Sequence, residues 1–165
     1  MNKNKTIIGI DPGINITGVS IIKIINKKKI KIIKIKEINL KKLNNYIIKL
    51  HIIYSKINKI ILNYKPNNII MESSFLGKNV KSMKRLIQCQ TSIILAAIKN
   101  KKYIIEYSPK TIKLLITGNG NSNKKELKKK LELFFKKKLN YSKNYDSSDS
   151  LGVAMSYIFK KYKLK

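Results

Sequence analysis

Thr6-Ile7-Ile8-Gly9-Ile10-Asp11-Pro12-Gly13 reads as a buried β-strand that ends on a carboxylate and is stopped by a Pro-Gly turn pair. Working outward, Thr17 to Ile25 and Lys29 to Ile38 are β-branched and alternate in polarity, two further strands with Asn26-Lys27-Lys28 as the hairpin between them. From Leu40 to Tyr64 the residues Leu43, Ile47, Leu50, Tyr54, Ile57 and Ile61 recur at three and four, which predicts a long amphipathic helix. Pro66-Asn67 breaks it. Asn68 to Glu72 is a short strand that also ends on an acid, Val80 to Lys99 a second helix, and Tyr103 to Tyr107 a fifth strand. Ser108-Pro109 is a good helix start, and Gly118 to Asn123 reads as a loop. A basic helix from Lys124 to Lys137, the polar stretch Asn140 to Tyr145 and a last helix from Asp146 to Tyr162 complete the chain. The order is read as βββαβαβαα, with no Pro-, Gly- or Ser-rich linker and no internal repeat. It predicts a single α/β domain over residues 1–165: a mixed five-stranded sheet, an antiparallel meander followed by βα units, with helices on both faces.

The composition bounds the partners. A chain of 165 residues is long enough to bury a real core in one domain. Its net charge of +29 points first to a polyanion, nucleic acid above all. The abundance of Lys, Ile and Asn, whose codons can be built from A and T alone, offers a second account of the lysine content, and charge alone does not decide between them. The single Cys89 excludes an internal disulfide and reads as a small buried apolar residue. The lone His51 has no second His or additional Cys to complete a zinc site and reads as structural or solvated. Apolar runs are broken by Lys or Asn too soon to span a bilayer, so no membrane association is expected. Residues Met1 to Lys5 do not resemble a signal peptide, and a cytoplasmic protein is expected.

Acids are scarce, eight against thirty-seven Lys and Arg, so their positions are informative. Asp11 and Glu72 each close a strand, and two strand ends lying side by side would bring both carboxylates to one place. Asp146 and Asp149 are three apart, share a helix face and fall in the first turn, at the positive end of the helix dipole. Taken one at a time, these residues are ordinary: a helix cap, a strand end, an Asp-Pro turn. Together they account for every Asp in the chain. Four such groups gathered at one point would repel one another unless a divalent cation lay among them, and Asp and Glu oxygens are the usual ligands of Mg²⁺ working on phosphates.

The same residues carry a resemblance. Ile8-Gly9-Ile10-Asp11-Pro12-Gly13 with Thr17-Gly18 resembles the opening motif of the RuvC Holliday-junction resolvases. The likeness continues through Met71 to Asn79 with Ser82, Glu106-Tyr107, Lys113, the Thr117 to Gly120 loop with Lys124, and Asp146 to Leu151 with Ala154. It covers nearly the whole chain in order. The opening motif alone would be weak, since sugar-kinase and actin-like ATPases begin in a similar way. The resemblance implies an RNase H-like fold, a homodimer, and Mg²⁺-dependent nicking of two like-polarity strands at four-way junction DNA. It implies two ions per subunit, with Mn²⁺ able to substitute, and Asp11, Glu72, Asp146 and Asp149 as catalytic metal ligands. Phe75 matches an aromatic that stacks on junction bases, and Lys78, Asn79, Lys113 and Lys124 match residues that approach DNA. A RuvA-RuvB branch-migration complex is the implied protein partner. The chain departs from the family at Ile87-Gln88-Cys89-Gln90-Thr91, where a Gly-containing stretch is usual. It ends soon after the last helix, so no partner-recruiting tail is expected.

The chemistry so implied is phosphodiester hydrolysis with two metal ions and no side-chain nucleophile. Three alternatives stand beside it. A YqgF-type RNase H-like nuclease acting in RNA processing fits the opening strand, but the Phe75 to Asn79 stretch and the Asp146/Asp149 pair favour the resolvase. An actin-like ATPase needs a second phosphate loop and a second domain. A non-catalytic DNA-binding protein held by charge alone would bind junctions without needing metal.

Overall fold

The computed structural model describes residues 5–26, 29–74, 79–136, 138–139 and 146–163, with the backbone alone at 146–148. Strands β1 (Lys5–Asp11), β2 (Ile16–Ile24) and β3 (Ile30–Asn39) form the antiparallel meander. Helix α1 (Tyr46–Tyr64), β4 (Asn68–Glu72), α2 (Val80–Lys99) and β5 (Ile104–Tyr107) follow as βα units. The chain closes with α3 (Pro109–Thr117), α4 (Lys124–Phe135) and α5 (Asp146–Tyr162). The sheet order is β3-β2-β1-β4-β5, with β4 parallel to β1 and β5 parallel to β4. β1, the strand on which the sequence reading turned, is central.

Each face of the sheet is covered, so the middle strands are apolar on both sides. Ile8, Ile10, Ile69 and Met71 point to the α1/α2 layer, where they meet Ile53, Ile57, Ile60, Cys89 and Ile93. Ile7 and Ile70 point the other way and pack with Ile112, Ile116, Leu127, Leu131, Leu151 and Ile158 of α3, α4 and α5. β3 carries a bulge: Ile21 pairs with Lys34 and Ile22 with Ile32, leaving Ile33 as the extra residue. The bulge changes the strand's alternation, so that Ile30, Ile32 and Ile35 all turn to the α5 side.

Three details differ from expectation. The closing helices number three where βββαβαβαα allowed two. Ser108 caps α3 by accepting from Thr111 N at 3.1 Å, Pro109 occupies its first turn, and Gly118 at φ 82° ends it in the left-handed region that glycine reaches freely. Helix α1 begins at Tyr46 and not at Leu40. Asn45 caps it, its side chain accepting from Ile47 N at 3.0 Å and Ile48 N at 3.2 Å, while Leu40 N donates to Asn15 O at 2.7 Å in the approach. Leu43 therefore lies outside the helix, Ile47 is exposed, and the buried stripe is Ile53, Ile57, Ile60 and Ile61. A segment built from Ile and Lys offers apolar stripes on more than one side, and periodicity alone does not choose among them. Cys89 is buried as expected and His51 is exposed on α1. Among the described residues no helix is long and apolar enough to cross a membrane.

Candidate active site

Ile10 pairs with Met71 across the parallel β1–β4 ladder, so Asp11 and Glu72, one residue on, end neighbouring strands and face the same side. That side is the one covered by α3, α4 and α5, because Ile10 and Met71 belong to the opposite layer. Glu72 pairs in turn with Tyr107 of β5. Its strand end is held twice: Gln90 Nε2 of α2 donates to Glu72 O at 3.0 Å, and Ser73 N donates to Tyr107 O at 2.9 Å.

The third wall is α5, and glycine decides how close it comes. A Cβ placed on Gly9 would lie 2.3 Å from Ser150 O and 2.5 Å from Ala154 N, so only glycine lets the helix rest on β1. Ser20 Oγ of β2 then donates to Ser150 O at 2.7 Å in a fully buried contact. These two contacts set the first turn of α5, and with it Asp149, over the ends of β1 and β4.

Asp11, Glu72 and Asp149 line one cavity of about 230 Å³ together with Pro109, Ile112, Lys113, Lys124 and Leu127. Lys113 comes from α3. Lys124 is the first residue of α4, whose start is fixed by reciprocal bonds: Asn123 Oδ1 accepts from Glu126 N at 3.0 Å, and Glu126 Oε2 accepts from Asn123 N at 3.1 Å. The Lys124 ammonium is paired with the Asp149 carboxylate. Burial, and next the charge of Asp149, push the Glu72 carboxyl up to about 7, against the opposing pull of Lys124 and Lys113.

The structure thus brings together three of the four expected carboxylates and two of the expected basic residues. Asp146 opens α5, three residues before Asp149, and its side chain lies outside the described residues, as do Phe75 and Lys78. Asn79 is not in the cavity; it caps α2, accepting from Ser82 N at 3.0 Å. Sequence reasoning passed over Gln90, Ser20 and the apolar wall of Ile112 and Leu127. Gln90, in the stretch where the chain departs from the family, is buried and reaches the backbone of Glu72. Gly9 could have been read, since a glycine inside a β-branched strand often marks a close backbone approach.

The donor set fits a hard divalent cation: carboxylate oxygens only, with Glu72 raised by burial and then by the neighbouring charge of Asp149. An ammonium already stands against Asp149. Among the described residues, no three His, Cys, Asp or Glu side chains converge closely enough to ligate an ion as they stand.

Residues 7–157 match the family model described as crossover junction endodeoxyribonuclease RuvC. A protein of that name from Christiangramia forsetii is 36% identical over 162 residues, covering 96% of this chain and 82% of its own length. Its counterpart from Wigglesworthia glossinidia brevipalpis is 40% identical over 153 residues, covering 92% and 91%. Among solved structures, Thermus thermophilus RuvC in complex with a Holliday junction substrate superposes with a TM-score of 0.85 at 16% identity, over 96% of each chain. The yeast mitochondrial Holliday junction resolvase Ydc2 superposes at 0.69 with 15% identity, over 95% of this chain and 80% of its own. Those two likenesses establish the fold as RNase H-like. The family model and the relatives establish more: this chain belongs to the RuvC family of crossover junction endodeoxyribonucleases.

Proposed function

We propose that this protein resolves Holliday junctions in recombination and repair, hydrolysing one phosphodiester in each of two like-polarity strands. Nucleases of this family generally depend on a divalent metal ion. In this chain the ion is Mg²⁺, two per subunit, with Mn²⁺ able to substitute, and Asp11, Glu72, Asp146 and Asp149 hold it. The observation that carries the reading is the single cavity lined by Asp11, Glu72 and Asp149 with two lysines in its wall.

The metal, when bound, supplies Lewis acidity toward the phosphate and a water activated for attack. Asp11 and Glu72, held on adjacent strands, fix two ligands against a rigid sheet. Asp149 arrives from a helix locked down by Gly9 and Ser20. Lys113 and Lys124 draw the scissile phosphate into the cavity and balance its charge. Ile112 and Leu127 narrow the approach for bulk water. Phe75 stacks on a base opened at the crossover, and Lys78 and Asn79 steady the adjoining backbone. A homodimer supplies the second site that symmetric nicking requires, and RuvA-RuvB is the branch-migration partner.

The test is cleavage of a synthetic four-way junction with Mg²⁺, against linear duplex of the same sequence. Paired nicks in the junction and an intact duplex are expected. Asp11→Asn and Glu72→Gln should still bind the junction yet lose cleavage by at least about a hundredfold, since a missing carboxylate misplaces the ion that holds the water. Cleavage at the normal rate in either variant would overturn the ligand assignment. Junction cleavage that persists in EDTA would remove the metal from the mechanism.

A further inference from the structure

We propose that Lys124 is an internal counter-cation that occupies the carboxylate site when metal is absent and must leave Asp149 for metal to bind. The inference rests on the metal-site reading above and goes beyond it, because it makes a DNA-facing lysine a competitor of the ion.

Three observations carry it. The ammonium of Lys124 is paired with Asp149, and both residues line the cavity that Asp11 and Glu72 share. Asp149 opposes the ionisation of Glu72 in that cavity and Lys124 favours it, so the ammonium offsets the repulsion between the carboxylates. The Lys124 side chain is 59% exposed while that of Asp149 is 16% exposed, so a solvated stem delivers its charge to a sheltered carboxylate. The stem is anchored at its base by the capping box of α4. Its head can therefore swing without any movement of the helix.

Ammonium and divalent metal want the same oxygens, and Asp149 cannot give its full charge to both. An arriving phosphate offers Lys124 another anionic partner at the mouth of the same cavity. Metal loading and DNA binding then support each other, as reciprocal linkage requires. The protein would take up metal poorly when alone and more readily on its substrate.

Mn²⁺ binding to the DNA-free protein, followed by the loss of the free-ion signal in electron paramagnetic resonance, tests this without any turnover. Lys124→Met should bind Mn²⁺ about five- to tenfold more tightly than the parent chain. Lys124→Arg, which keeps the cation, should show no such gain. Lys113→Met controls for charge at a distance and should tighten binding far less. Thermal unfolding shows that each variant is folded, and Lys124→Met should lose stability without metal and regain it with Mn²⁺. If Asp149→Asn weakens Mn²⁺ binding while Lys124→Met leaves it unchanged, the competition is wrong and the metal site stands. Equal tightening by Lys113→Met would also sink it, in favour of bulk repulsion. No Mn²⁺ bound by parent or Lys124→Met would overturn both readings.

Discussion

Glu72 is where the site's electrostatics can be read out one group at a time. Its carboxyl titrates near 7 in the folded protein against an ordinary value of 4.5, raised chiefly by burial and then by Asp149. A raised carboxyl pKa means the folded state binds the proton more tightly than the unfolded chain does. The metal-free protein therefore loses stability as pH climbs from about 4.5 to about 7, by at most about 3 kcal/mol. Glu72→Gln removes that penalty, so its melting temperature without metal should exceed the parent's at pH 8 and the gap should close toward pH 5. A gap independent of pH would mean that the group is ionised throughout. Individual acids were legible in the sequence because acids are so few in this chain, and Asp11 and Glu72 announced themselves by closing apolar runs. Lys113 and Lys124 were legible only through resemblance, since in a chain with thirty-seven Lys and Arg no single lysine stands out. Gln90 was not legible at all: its role depends on a backbone carbonyl eighteen residues away that only folding brings near.

Among the elements, α5 does most to define the site, and one missing side chain admits it. Gly9→Ala would place a methyl group 2.7 Å from Ala154 Cβ and closer still to backbone atoms of α5, none of which has a flexible end to yield. Overpacking of that kind costs about 1–3 kcal/mol. Chemical denaturation should show the loss, and cleavage should fall further than the folded fraction does, because the helix that shifts carries Asp149. A Gly9→Ala protein as active and stable as the parent would mean that α5 is free to ride up without consequence. The strands were read nearly to the residue, since alternation and turn pairs act locally. Val80, Lys124 and Asp146 were read as helix starts and are so, whereas the start of α1 was harder. α1 starts behind the Asn45 cap and not at Leu40 because a cap wins by satisfying free N–H groups, which a count of apolar spacing does not register. The bulge at Ile33 left no mark in the composition, being one Ile among many.

For the molecule as a whole, the proposed homodimer needs a contact surface, and the exposed face of α2 is the one expected to supply it. Val80, Ile87, Leu95 and Ile98 are exposed on it and fall within an arc of about 80° at the helical repeat. Leu95→Glu should convert a two-chain species in sedimentation at micromolar concentration into a monomer, and paired nicks into single ones. A parent protein that sediments as one chain even with junction present would defeat the dimer. The excess of basic charge should appear as a steep fall of junction affinity with salt, and a shallow slope would assign most of the lysines to codon bias. The general architecture was readable because hydrophobic period and turn chemistry agreed along the chain, whereas the way α5 seats on β1 depends on residues more than a hundred positions apart. That span matters during synthesis. Asp11 leaves the ribosome well before Asp149, and β1 lacks its α5 cover until that helix is made. With Asp149 as a ligand, as proposed above, a nascent or prematurely terminated chain would display its lysines to DNA without a complete cutting centre. On the proposed ligand set, a chain cut short before α5 should occupy junctions without breaking them.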